Sequence, residues 1–252
     1  MNNLDYSHLK ANLDFRFKNA VKNQLEGSLD LARAECFYIL KKSPDHFQAL
    51  NLIGKTFLQQ KEYLISKDYF VRSSTIDKNF FQARLNLLIC SIKLNDYKSA
   101  LLHFELCKIM QPNNFIIYSS IALIQKKHLD FKNAIKNYNK AISLNPKLAL
   151  LYNNRGNVNF KIKNYSKAIV DYKKATEIKP YHYKYLLNLG YTQVRLNLIS
   201  NAEKTIKQCI YINKDYAESY SIMGMLKITQ NRIYEGIRNF DKAISLDEKN
   251  PQ

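Results

Sequence analysis

Residues 152–180 read YNNRGNVNFKIKNYSKAIVDYKKATEIKP. Tyr152, Gly156 and Phe160 fall four apart, a spacing that puts side chains on one face of a helix. Lys163, Asn164 and Tyr165 then break the pattern. Ala168, Ile169, Tyr172 and Ala175 make a second apolar stripe, which stops at Pro180. The stretch predicts two helices joined by a tight turn. One such hairpin cannot bury both stripes, but copies stacked side by side can.

The copies lie 34 residues away on either side. NAIKNYNKAISLNP at 133–146 aligns with KAIVDYKKATEIKP at 167–180. A small residue of the first helix recurs as Ala20, Gly54, Ala122, Gly156, Gly190 and Gly224, with Leu88 interrupting the series. A small residue of the second helix recurs as Ala32, Ser66, Ala100, Ala134, Ala168, Ala202 and Gly236. Four residues later stand Cys36, Phe70, Phe104, Tyr138, Tyr172, Ile206 and Phe240. Seven repeats are thus expected, at 13–46, 47–80, 81–114, 115–148, 149–182, 183–216 and 217–250, with residues 1–12 as an N-terminal extension or cap. Leu4, Leu9 and Leu13 are placed to extend the first helix forward.

A helical-hairpin repeat of this length, with this small-to-large alternation, resembles the tetratricopeptide family. The resemblance covers nearly the whole chain. It implies an all-α, right-handed α-solenoid of stacked antiparallel helix pairs, in one domain over 13–252, with first helices lining a concave groove. It also implies a non-catalytic scaffold for a partner protein or peptide. The fold serves many partners, so the groove residues must carry the rest.

Of the 252 residues, 46% are hydrophobic, enough for a continuous core, and the net charge is +18. Such a charge suits an acidic peptide, a nucleic acid or an anionic membrane surface. It also follows from a composition rich in Lys, Asn, Ile and Tyr. Cys36, Cys90, Cys107 and Cys209 show no CxxC spacing and read as reduced, structural thiols. The first residues carry no secretory pattern, and no apolar run approaches the length of a membrane span. The expectation is a soluble, cytoplasmic protein.

There is no glycine-rich phosphate loop, no paired histidine spacing for a metal, and no nucleophile context. No catalytic residue, metal, cofactor or small-molecule substrate is therefore expected, and no enzyme activity. What remains is the groove. Asn86, Asn154 and Asn188 lie two residues before the small slot and fall on one line. They resemble the asparagine ladder in the repeat region of O-linked N-acetylglucosamine transferases, which implies carboxamides that hold a peptide backbone. Leu123, Asn157, Tyr191 and Met225 follow the small slot by one, and Asn153 precedes it by three. These eight residues are the expected peptide-binding set. Lys93, Lys127, Lys161 and Arg195 recur five after the slot and form a basic rail for acidic flanks. The carboxylate clamp of heat-shock co-chaperones in the family is not matched, because Glu218 and Ile222 stand where it needs cations.

Two further readings stand beside the scaffold. One is the recognition arm of a larger enzyme, such as a glycosyltransferase, continuing past residue 252. The other is a basic solenoid for nucleic acid, against which counts the lack of any recurring base-reading pair. Members of the tetratricopeptide family usually carry one further amphipathic helix over the last repeat, and none is read before residue 252. The final face is then exposed, buried by another copy, or covered by a longer polypeptide, and the expectation is that the polypeptide continues or that the last repeat self-associates.

Overall fold

A computed structural model of the chain describes residues 3–249. The expected domain bounds also take in 1–2 and 250–252, which lie outside the described residues. Among the described residues there are fourteen helices and no strand. They are α1 (Asn3–Leu25), α2 (Leu29–Lys42), α3 (Phe47–Gln59), α4 (Tyr63–Ile76), α5 (Phe81–Lys93), α6 (Tyr97–Met110) and α7 (Phe115–Lys127). Then come α8 (Phe131–Leu144), α9 (Ala149–Lys161), α10 (Tyr165–Ile178), α11 (Tyr183–Arg195), α12 (Ile199–Ile212), α13 (Ala217–Thr229) and α14 (Ile233–Lys249). From α3 onward every first helix begins at the expected repeat start. Residues 3–12 are not separate from the first repeat: α1 runs through them, and Leu9 packs against the cluster of Leu13, Ala20 and Cys36.

The turns explain the regularity. One residue in each has positive φ: Gly27, Lys61, Asn95, Leu129, Lys163, Asn197 and Asn231. Each stands 34 residues after the last. A left-handed residue just past a helix lets the next N–H reach back to an orphan carbonyl of the last turn. The bonds Ser28 N to Asn23 O, Glu62 N to Phe57 O, Asp96 N to Ser91 O and Asn164 N to Asn159 O, at 2.8–2.9 Å, are of this kind. The residue after the left-handed one stands at the N-cap of the second helix, and in three repeats its side chain caps it. Asp96, Asp130 and Asn164 accept from the backbone N–H three residues on. Second helices end two residues before Pro44, Pro112, Pro146 and Pro180. They end at the same register where no proline follows, at Ile76 and Ile212.

The chain divides into two compact units, one up to His128 and one from Leu129. The first holds α1–α7 and the second α8–α14. Within each, a second helix packs on its own first helix and on the next one. Successive first helices also touch, as α1 with α3, α3 with α5, α5 with α7, α9 with α11 and α11 with α13. Second helices do not approach one another as closely. A stack spaced this way has its first helices on the inner side and its second helices on the outer.

The small slots are the hairpin contacts. A methyl group added at Gly54 would come within 2.6 Å of the Phe70 ring, at Gly156 within 2.8 Å of Tyr172, and at Gly190 within 2.5 Å of Ile206. Phe70, Tyr172 and Ile206 are all buried there. Leu88, which breaks the series, is also fully buried.

Candidate functional site

The inner face of each unit is rich in carboxamides, and their first use is internal. Gln24 donates to Gln59, Asn86 to Asn51, and Asn188 to Asn153, at 2.8, 2.9 and 2.8 Å. Each pair spans 35 residues, one repeat plus one, and joins one first helix to the next. Asn51, Asn86 and Asn153 are 7–8% exposed. Asn86 and Asn153 were expected to face a ligand. They lie under the surface with their amides engaged, because a carboxamide between two close helices must find its partner there. Spacing had marked the position of these residues, but it could not give the direction of their side chains.

In the second unit three expected residues do come together. Asn157, Asn188 and Tyr191, with Phe160 and Tyr172, line a small open pocket of about 100 Å³ between α9 and α11. Asn157 Oδ1 accepts from the Tyr172 hydroxyl at 2.7 Å and from Asn188 Nδ2 at 3.4 Å. Among the described residues, Asn157 Nδ2 donates no hydrogen bond and Asn188 Oδ1 accepts none. The rings of Phe160 and Tyr191 lie 5.3 Å apart at the rim. Asn154 is half-buried outside the pocket, and Met225, on α13, is exposed. In the first unit Leu123, on α7, is equally exposed, at 39%.

The basic rail has an internal partner that the sequence reading missed. The Arg195 guanidinium lies 5.2 Å from the centre of the Tyr165 ring, and Arg195 Nη2 donates to the Tyr165 hydroxyl at 3.0 Å. One repeat earlier, the Lys161 ammonium lies 5.7 Å from the Phe131 ring. Each cation thus sits against the aromatic residue that opens the preceding second helix, a contact worth roughly 0.5–1 kcal/mol when exposed. The signal was legible: an aromatic residue stands 30 positions before each of the two cations. Lys93, Lys127, Lys161 and Arg195 are all exposed, so the rail keeps its positive charge toward water.

Two buried charge clusters were also missed. Arg155 of α9 forks onto Asp171 of α10, with Nε 3.1 Å from both carboxylate oxygens, and Asn159 and Asn139 complete the network. Lys227 of α13, 5% exposed, meets Glu203 of α12 at 2.7 Å. Hydrogen bonds from Lys207, Lys227 and Gln230 hold the Glu203 carboxyl down at about 2. Both clusters fasten helices. The four cysteines are buried and unbridged. Burial pushes the thiols of Cys36 and Cys107 up to about 12 and that of Cys209 to about 11, the reverse of an activated nucleophile. Among the described residues no group of three or more His, Cys, Asp or Glu could hold a metal, and no helix is long and apolar enough to cross a membrane.

Comparison with known proteins agrees with this geometry. Models of the tetratricopeptide repeat match residues 149–182, 183–216 and 217–250, and a TPR repeat model matches 130–163. No curated protein sequence matches the chain. Among solved structures, a tetratricopeptide repeat protein from Parabacteroides merdae ATCC 43184 is 14% identical, with 93% of each chain covered and a TM-score of 0.69. MamA from Desulfovibrio magneticus RS-1 is 13% identical over 68% of this chain and 97% of its own, with a TM-score of 0.64. YrrB, a TPR protein with an unusual peptide-binding site, is 14% identical over 72% of this chain and 93% of its own, with a TM-score of 0.61. At these identities the likeness is one of fold.

Proposed function

The chain belongs to the tetratricopeptide repeat family, and we propose that it is a non-catalytic interaction scaffold whose second unit holds a partner peptide across α9 and α11. The observation that carries this is the pocket shared by Asn157, Asn188 and Tyr191. An unspent amide donor on Asn157 and an unspent carbonyl on Asn188 stand on neighbouring helices. Together they match the C=O and N–H of one peptide unit, so they grip backbone without reading sequence. Tyr191 and Phe160 receive an apolar side chain, and Met225 repeats the Tyr191 register one repeat further on. Asn154 adds a carboxamide on the same helix as Asn157. Lys161 and Arg195 at the turn edge draw acidic flanking residues. In the first unit Leu123, Lys93 and Lys127 hold the corresponding register positions, with Asn86 serving the helix contact beneath.

Peptides selected from a random library against the intact chain test the reading. Asn157→Ala combined with Tyr191→Ala is expected to weaken the selected peptides by about tenfold or more, since a packed aromatic anchor typically contributes over 1 kcal/mol. Unchanged affinity in a variant with wild-type circular dichroism overturns the groove assignment.

A further inference from the structure

The outer side of the second unit has a feature of its own. Between the second helices α8 and α10 runs a furrow of about 400 Å³, floored by α9. Its apolar walls are Ile135, Ile162 and Val170, the last 63% exposed. Lys167 lines it directly. Helical spacing puts Lys132 on the Ile135 stripe and Lys174 on the Val170 stripe. Lys136 and Lys140 continue from Lys132 at four-residue intervals along α8, about 6 Å apart. All five lysines are exposed, and α8 carries no acidic residue. The acids of α10 are spent: Asp171 is buried on Arg155, and Glu177 is held by Lys174 at 3.0 Å. Lys174 is thereby paired, and the aliphatic strip of Ile135, Ile162 and Val170, set among polar side chains such as Asn139, Asn164 and Ser166, is bordered by the positive charge of Lys132, Lys136, Lys140 and Lys167.

We propose that this furrow is a second docking site, separate from the inner groove, for an acidic amphipathic segment of a partner protein. Charge complementarity names the occupant's polar side, since carboxylates one helical turn apart match the lysine spacing of α8. Exposed Val170 and Ile162 name its apolar side. A nucleic acid fits less well. No aromatic ring lines the furrow to stack a base, and the buried Asp171 carboxylate on its floor is the wrong sign for a phosphate.

The test uses the intact chain and fluorescence anisotropy. The probe is a synthetic helical peptide of about 18 residues with glutamates on one face and leucines on the other. Its counterparts are the same peptide with glutamine for glutamate, and single- and double-stranded DNA. Lys132→Glu with Lys167→Glu is expected to weaken the acidic peptide about tenfold or more. A control of equal charge, Lys41→Glu with Lys42→Glu on α2, is expected to change it by less than about twofold. The groove variant Asn157→Ala with Tyr191→Ala leaves it unchanged, which keeps this site distinct from the inner one. Equal losses in the two charge-reversed variants mean attraction to net charge alone and overturn the proposal. So does absence of peptide binding, or binding of the glutamine peptide as tight as the acidic one. DNA that binds more tightly and displaces the peptide overturns the choice of a protein partner.

Discussion

Arg155 and Asp171 are the residues on which most rests locally. Asp171 is 2% exposed and is paired with the guanidinium beside it and with the amide of Asn159. Removing one member of such a pair leaves an unpaired buried charge, whereas replacing both with apolar residues of similar volume can be nearly neutral. Arg155→Met is expected to destabilise the chain by about 3–5 kcal/mol, and Arg155→Met with Asp171→Leu to recover most of that loss. Urea unfolding of the two variants checks it. Neither residue stood out in the sequence. They are 16 positions apart, on different helices of one hairpin, and only the packing of those helices makes them neighbours. The same limit hid the directions of Asn86 and Asn153. Tyr191 and Asn157, one residue after the small slot, do line the pocket between α9 and α11, whereas the positions two and three before the slot meet the neighbouring first helix at Asn86 and Asn153.

At the scale of the element, the chain announced nearly everything. Helix starts fall on the repeat starts because each turn is closed by the same left-handed residue, and asparagine at 95, 197 and 231 is the usual side chain to tolerate it. What the sequence hid is that the conformation persists where the residue type opposes it. Leu129 has φ +62 and is 60% exposed, so no burial rewards its strain. A left-handed L-residue costs roughly 1–2 kcal/mol. Leu129→Gly is expected to raise stability by about 1 kcal/mol, read as a higher melting temperature. Gly27→Ala, at φ +84 with open space around it, is expected to lower it. Since a methyl group at Gly27 meets nothing, that loss would report backbone strain alone. Lys163 was expected to break a pattern and does so as the left-handed residue, while Tyr165, grouped with it, already opens α10.

At the scale of the whole molecule, the net charge of +18 makes acid the unfavourable direction. Three histidines add to this. Burial lowers the pKa of His46, His103 and His182 below the ordinary 6.5, and for His103 the charges of Arg84 and Lys67 push the same way against Asp96. The fold thus favours their neutral forms. Their contribution is complete above about 6.5 and is lost as pH falls through the lower folded values. Glu203 acts in a separate window, complete above 4.5 and lost as pH falls toward about 2. Melting temperatures measured between pH 8 and pH 5 are expected to fall, and His103→Gln to fall less steeply. A flat profile in the wild type would refute this. The carboxamide bridges have a last consequence, for how such a chain can be rearranged. Asn51 and Asn86 answer one another across a repeat junction, as do Asn153 and Asn188. Serines 119 and 120 occupy the matching places of α7. Neighbours cut and rejoined in another sequence would strand a buried amide at about 1–3 kcal/mol each, so modules that look interchangeable by length carry addresses, and their order is part of the message.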